Sequence, residues 1–357
     1  MSSLSLAASR ARRLRRGINL SHWFSQIYWP PGYTAAHFDT YIRTADIALI
    51  RDMGFDHVRL PLNPAPLLAA SSSDGRLPAD DLARIRARIT DLHEHGLAVI
   101  VDLHPEDAFK QSLAADPAAL TAFLGFWEKL ATALSGFDPE RTFFEVLNEP
   151  CLRDALRWNK LQNAAVAVIR SAAPRHTIII SGDEWSQLPE LLKLTPPADD
   201  NLIANFHLYD PSAFTHQGAT WASPWIQFTK GLTYPADAQA VAELIPAITD
   251  PDARAQLAEY VATGWNATVY HDFLQPAVAW AREHKLPLTC NEFGVYKQYS
   301  PRPSRLEWIR DVSRALTANG IGWTMWDYAG DFSVVVKKDG VRIPDFDLLH
   351  SLGLSLK

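Results

Sequence analysis

Apolar residues in this chain follow two rhythms. Short β-branched and apolar runs, each closing on polar residues, recur at 16–22 (RGINLSH), 57–62 (HVRLPL), 98–104 (AVIVDLH), 142–149 (TFFEVLNE), 176–183, 202–210, 287–294 and 321–328. Between them, amphipathic patterns of helical spacing occupy 36–53, 80–95, 118–134, 154–172, 271–285 and 303–319, with Gly96 and Gly320 closing two of them. Near-continuous apolar strands alternating with helices predict a parallel sheet covered on its outer face. Eight such units are the number that closes a (β/α)8 TIM barrel. An open doubly wound sheet is the rival arrangement, but Gly17 in the first strand lacks the G-x-G-x-x-G spacing of a phosphate loop.

Strand starts fall roughly 25 to 45 residues apart, except between the sixth and seventh, where about 85 residues intervene. A bare crossover needs only a loop and the helix at 271–285, so 211–268 reads as an inserted lobe between strands 6 and 7. It carries Trp221, Trp225, Phe228, Tyr234, Tyr260 and Trp265. We expect it over the C-terminal face of the barrel, the alternative being a packing subdomain remote from any ligand. No linker or repeat divides the chain, so 1–357 is expected to form a single catalytic barrel domain. Residues 1–15 then form an N-terminal arm, with Arg10, Arg12, Arg13, Arg15 and Arg16 solvated.

Apolar residues make up 47% of the chain and charged ones 21%, which excludes disorder. The 34 Lys and Arg against 40 Asp and Glu leave a net charge of −6 and no basic face, so no nucleic-acid partner is expected. No apolar run is long enough for a membrane span. The two cysteines, Cys151 and Cys290, are too few for a disulfide framework. Cys151 reads as a loop bystander, and Cys290 as small core filler on the same side of its strand as Glu292. A weak apolar stretch precedes the N-terminal arginines, the reverse of a secretory signal. The expected compartment is therefore cytoplasmic, or secreted or periplasmic if a leader was trimmed, and a monomer is expected.

Barrel enzymes place reactive groups at the C-terminal ends of their strands, so the residues that close the runs form a candidate set. The set is Arg59, His104, Asn148, Glu149, His207, Tyr209, Glu292 and Trp326. Such groups would converge on one mouth, where stability alone favours apolar side chains. Glu149 and Glu292 stand on opposite strands, and two carboxyls facing across a cleft are what glycoside hydrolysis requires. Trp326 offers a flat apolar face for a pyranose. The loop SHWFSQIYWPPGY, with Trp23, Phe24, Tyr28 and Trp29, is expected to wall the cleft. A metal set of His104, Glu106, Asp107 and His207 is the rival. The first strand has no H-x-H pair and His93-Glu94-His95 falls at a solvated helix end, so no metal and no cofactor are expected.

The order VRLP, VDLH, NEP, HLY, NEFG and TMWDY along strands two, three, four, six, seven and eight resembles glycoside hydrolase family 5. The resemblance implies Glu149 as acid/base and Glu292 as nucleophile of a retaining double displacement. It further implies Asn148 on the sugar 2-OH, Arg59 and Tyr209 holding Glu292, and His104 and His207 lining neighbouring subsites. Asn291 stands where the family commonly has a small residue, and HPED where many members have His-Asn or His-Gly. The expected activity is an endo-β-1,4-glucanase acting on β-glucan polysaccharides or oligosaccharides. The alternatives are an exo-acting β-glucosidase, a β-1,3-glucanase or a β-mannanase and, from a different class, a non-catalytic carbohydrate-binding barrel.

Overall fold

All eight predicted strands form: β1 (Arg16–Asn19), β2 (His57–Leu62), β3 (Ala98–Leu103), β4 (Thr142–Glu145), β5 (Thr177–Ser181), β6 (Leu202–Leu208), β7 (Leu288–Phe293) and β8 (Gly322–Met325). They pair in parallel in chain order, and β8 closes on β1 to complete the barrel. The structure is a computed structural model that describes residues 5–71 and 76–357, so residues 1–4 of the expected arm lie outside it.

Side chains alternate across each strand, and this sorts the barrel into two cores. Ala98, Ile100, Phe143, Ile179 and Ile203 form an inner cluster, while Val99, Val101, Phe144, Ile178 and Ile180 join the cluster shared with the helices. Two residues further along the inward rows, Ile100, Phe143 and Ile203 give way to Asp102, Glu145 and Asn205, all buried. The same parity thus makes an apolar floor and a polar mouth.

The N-terminal arm is solvated only in part: Arg12, Arg13, Arg15 and Arg16 are exposed as expected, whereas Arg10 and the arm's apolar face are not. Residues Leu6–Ala11 form a helix, and Ala7 and Leu14 pack into the inner cluster, covering apolar surface that the barrel's lower end would leave open. Arg10 is buried, pairing with Glu140 at 2.7 Å and donating to the Arg175 carbonyl at 2.5 Å.

The helices follow their apolar spacing. Pro117–Leu134 starts on Asp116, whose carboxylate accepts from the Ala118 amide, and buries Phe123, Phe126, Trp127, Leu130 and Leu134. Its Trp127 Nε1 donates to the Val146 carbonyl at 2.9 Å, fixing the chain just beyond β4. The predicted 36–53 helix is two, Ala35–Thr40 and Thr44–Asp52, because Asp46 accepts from the Arg43 amide and caps a second start. A hairpin of β9 (Val335–Lys338) and β10 (Val341–Pro344), not foreseen from the sequence, follows β8.

Between β6 and β7 the chain adds helices Ser212–Thr215, Ala238–Leu244 and Pro251–Thr263 before the outer helix Ala267–His284. The early part packs with Trp326, Phe332 and Tyr209. The later part lies against the outer helices, where the Tyr234 hydroxyl donates to Asp311 at 3.0 Å and its ring meets Tyr270.

Candidate active site

Arg59 on β2 is fully buried and organises the mouth. Its Nη1 donates to Glu292 Oε1 at 2.5 Å and to Asn19 Oδ1 at 3.1 Å. Its Nη2 reaches Asn148 Oδ1 at 3.0 Å and Asp102 Oδ2 at 2.9 Å. Glu145 receives both Nε and Nη2. Burial opposes the guanidinium charge, but Asp102, Glu145 and Glu292 hold it more firmly protonated than an ordinary arginine.

Glu292 reaches the interior through a bulge. Phe206 pairs with Cys290 and His207 with Glu292, so Asn291 is one residue too many on β7. Asn291 turns inward, its Nδ2 on Glu145 Oε2 at 2.6 Å, and Glu292 follows it inward to Arg59 and to the Tyr209 hydroxyl at 3.0 Å. Cys290 therefore does not share a side with Glu292. It packs in the outer core, a free thiol like Cys151. Gly294 ends the turn where a Cβ would fall 2.4 Å from the Trp326 carbonyl oxygen, which admits no larger residue. Burial holds the Tyr209 phenol protonated, so it donates to Glu292.

Glu149 lies beyond β4, which ends at Glu145. Its backbone takes a left-handed φ of 45°, and the Asn148 amide bonds back to the Leu103 carbonyl at 2.8 Å. Burial pushes the Glu149 carboxyl above the usual range, opposed by the charge of Lys110. His207 Nδ1 stands 3.0 Å from Glu149 and 3.7 Å from Glu292, and burial pushes its pKa down to about 4, so it is neutral near pH 7. One oxygen of Glu149, one of Glu292 and a His207 nitrogen all lie within 4.8 Å of one another. A cation there would compete with the guanidinium already on Glu292.

His104 completes a directed chain of donors. Its Nδ1 faces Asp102 Oδ2 at 2.8 Å, which places the proton on Nδ1 and leaves Nε2 to accept from Asn148 Nδ2 at 3.1 Å. Burial pushes His104 down to about 3, keeping it neutral. Trp326 stacks on the His104 ring, centroids 5.6 Å apart and planes at 18°. With both His104 nitrogens engaged, Glu106 facing Tyr28 and Asp107 paired with Lys110, the rival metal set does not assemble. His93, expected in solvent, is buried against Arg141.

Eight predicted residues therefore converge, and Trp23 does not. It is fully buried, its Nε1 donating to the Phe38 carbonyl at 2.8 Å and Arg88 lying over its ring. It supports the first loop from beneath, while Tyr28 and Trp29 are exposed at the rim. Sequence reasoning missed Glu145, Asp102, Asn19 and Lys110. Asp102 and Glu145 could have been found by strand parity, two residues before His104 and two after the inward Phe143.

A closed barrel with two unlike carboxyls facing each other across its mouth defines a glycoside hydrolase of the barrel type. The sequence model described as "Cellulase (glycosyl hydrolase family 5)" matches residues 24–331, and the chain belongs to that family. Endoglucanase C of Acetivibrio thermocellus is 30% identical over 320 residues, 88% of this chain and 91% of that protein. Cellodextrinase A of Ruminococcus flavefaciens is 26% identical over 87% of this chain and 84% of its own. The crystal structure of endoglucanase Cel5A from Thermotoga maritima superposes with a TM-score of 0.76 at 27% identity, covering 97% of this chain and 99% of that one.

Proposed function

We propose that the protein is an endo-β-1,4-glucanase that cleaves β-glucan with retention of configuration. The carboxyl spacing carries this reading. Oxygens of Glu149 and Glu292 within 4.8 Å of each other fit a retaining pair, at about 5–5.5 Å between carboxyls. An inverting pair would stand roughly 6.5–9.5 Å apart to admit a water. The names of the relatives, endoglucanase and cellodextrinase, support β-1,4-glucan as the substrate class.

In this mechanism the Glu292 carboxylate, turned by Arg59 and Tyr209, attacks the anomeric carbon. Glu149 gives its proton to the departing glycosidic oxygen, and the sugar is left as an ester on Glu292. Glu149, now ionised, takes a proton from water, whose oxygen attacks the anomeric carbon and frees Glu292. Asn148 has one Nδ2 hydrogen left for the 2-OH after serving His104. Trp326 supplies the apolar floor, and His104 and His207 line the adjoining positions.

The test is the product profile from soluble β-1,4-glucan, mixed-linkage glucan, β-1,3-glucan and mannan, with Glu292→Gln as control. Mixed oligosaccharides from β-1,4-linked polymer, lost in the variant, are expected. Release of one small sugar alone, or action confined to β-1,3-glucan or mannan, would overturn the assignment.

A further inference from the structure

The helix Ala35–Thr40, the start of Thr44–Asp52 and the β9–β10 hairpin border a cavity of about 370 Å³ outside the catalytic mouth. Asp46 locks its walls together. Its Oδ1 accepts from the Tyr328 hydroxyl at 2.8 Å, and its Oδ2 from the Arg43 amide at 2.9 Å and from Arg342 Nη1 at 3.0 Å. Arg342 also lies over the Tyr41 and Tyr328 rings, 5.1 and 5.3 Å from their centroids, which holds the guanidinium in place.

Charge in this cavity is lopsided. Lys337 stands directly opposite Arg342 in the hairpin register, a pairing of like charges that costs stability, and Arg43 adds a third cation. Asp46 answers Arg342, but among the described residues neither Lys337 nor Arg43 pairs with a carboxylate. Asp327 and Asp331, the other carboxylates near Tyr41, lie toward Lys297. The protein as a whole carries a charge of −6, so the cavity is a local reversal of sign.

The rest of the lining suits a sugar better than a bare anion. His37 is buried and stacked on Tyr41, centroids 5.0 Å apart and planes at 21°. Its Nε2 donates to the His22 carbonyl at 2.7 Å, which leaves Nδ1 to accept from a hydroxyl. Val335 and Ala329 supply apolar surface. The cavity adjoins the rim of the cleft, because the exposed Trp29 ring lies 6.3 Å from both His37 and Tyr41, and Ala329 follows closely on Trp326.

We propose that this cavity binds a carboxylate carried by an acidic β-glucan, on a uronate unit or a carboxyl-substituted glucose, with Lys337 and Arg43 meeting the anion and His37 a neighbouring hydroxyl. The proposal rests on the glucanase reading above. The walls are fixed beforehand, so the anion finds its cations in place, and its charge relieves the repulsion between Lys337 and Arg342.

The test compares kcat/KM on carboxymethyl cellulose with kcat/KM on neutral hydroxyethyl cellulose. The proteins are wild type, Arg43→Gln/Lys337→Gln and, as a control of equal charge change at the far end of the barrel, Arg12→Gln/Arg13→Gln. In the cavity variant the acidic-to-neutral ratio is expected to fall about fivefold at low salt, with the neutral polymer cleaved as before, while the control keeps the wild-type ratio. An unchanged ratio, or an equal fall in the control, overturns the proposal. Saturation-transfer NMR with methyl β-glucuronide and methyl β-glucoside reads the cavity without turnover. The glucuronide signal is expected to weaken in the cavity variant while the glucoside signal stays. A glucuronide signal that is absent from wild type, that survives in the variant, or that an equal concentration of inorganic phosphate displaces, overturns the assignment to a sugar carboxylate. Wild type inert on both polymers would refute the glucanase reading, and the NMR comparison would still decide the cavity.

Discussion

Arg59 and Glu145 face each other through two parallel hydrogen bonds, Nε to Oε2 at 3.0 Å and Nη2 to Oε1 at 2.8 Å, beside the carboxyl of Glu292, the proposed nucleophile. The fork fixes the guanidinium plane, leaving Nη1 aimed at Glu292. Glu145 is itself pinned by Asn291, so the residue before Glu292 and the residue behind Arg59 form one frame.

Replacing Glu145 by Gln removes the charge from a buried fork and lets Arg59 turn. We expect kcat/KM to fall by about a hundredfold, mostly in kcat, and stability to drop by about 3 kcal/mol. Glu145→Asp, which keeps the charge on a shorter arm, should restore part of the stability and little of kcat. Wild-type kinetics in Glu145→Gln would show that Glu292 needs no such frame.

Lys110 is buried on the helix Asp107–Ala115, with Asp107 at 3.3 Å. Glu149 is faced by Lys110, His104, Arg59, Asp107 and His207, and of these charges Lys110 does most to offset the upward push of burial. Lys110→Met therefore raises the Glu149 pKa further. Since Glu149, as the proposed acid, must be protonated to act, the alkaline limb of the kcat/KM profile should move upward by about half a pH unit. A limb that stays in place or moves down would sever Lys110 from the acid.

The barrel was legible because strand parity and apolar runs are local properties, and so were Glu149 and Glu292, which close their runs. What escaped depended on partners distant in sequence. The β7 bulge inverts the parity that placed Cys290 beside Glu292, and it shows only where β7 meets β6. Trp23 looked like a wall residue because nothing local reveals that Phe38 and Arg88 cover it. Arg10 looked solvated, as Arg12, Arg13, Arg15 and Arg16 are, because Glu140 and the Arg175 carbonyl, which hold it, lie more than a hundred residues away.

Leu14 is fully buried in the inner cluster at the barrel's lower end, away from the mouth. Leu14→Ala should cost about 2–4 kcal/mol in denaturant unfolding while kcat/KM stays at the wild-type level. A loss below 1 kcal/mol would mean that the N-terminal segment covers the barrel without stabilising it.

His176 precedes β5 at that same lower end, buried against Phe144 with ring centroids 4.9 Å apart. Burial, aided by Arg10, pushes its pKa from 6.5 down to about 4. Between those values the unfolded chain carries a proton that the folded chain refuses, so stability falls as pH falls through this window. His104, His207 and His216 are depressed in the same sense, and Glu149 is raised, so the total curve mixes several groups. The difference between wild type and His176→Phe isolates one of them. Relative to the variant, wild type should lose about 3 kcal/mol of unfolding free energy between pH 7 and pH 4, most of it below pH 6. Parallel curves would place His176 in contact with water or a counter-charge, and a gap widening toward high pH would reverse the sign of its contribution.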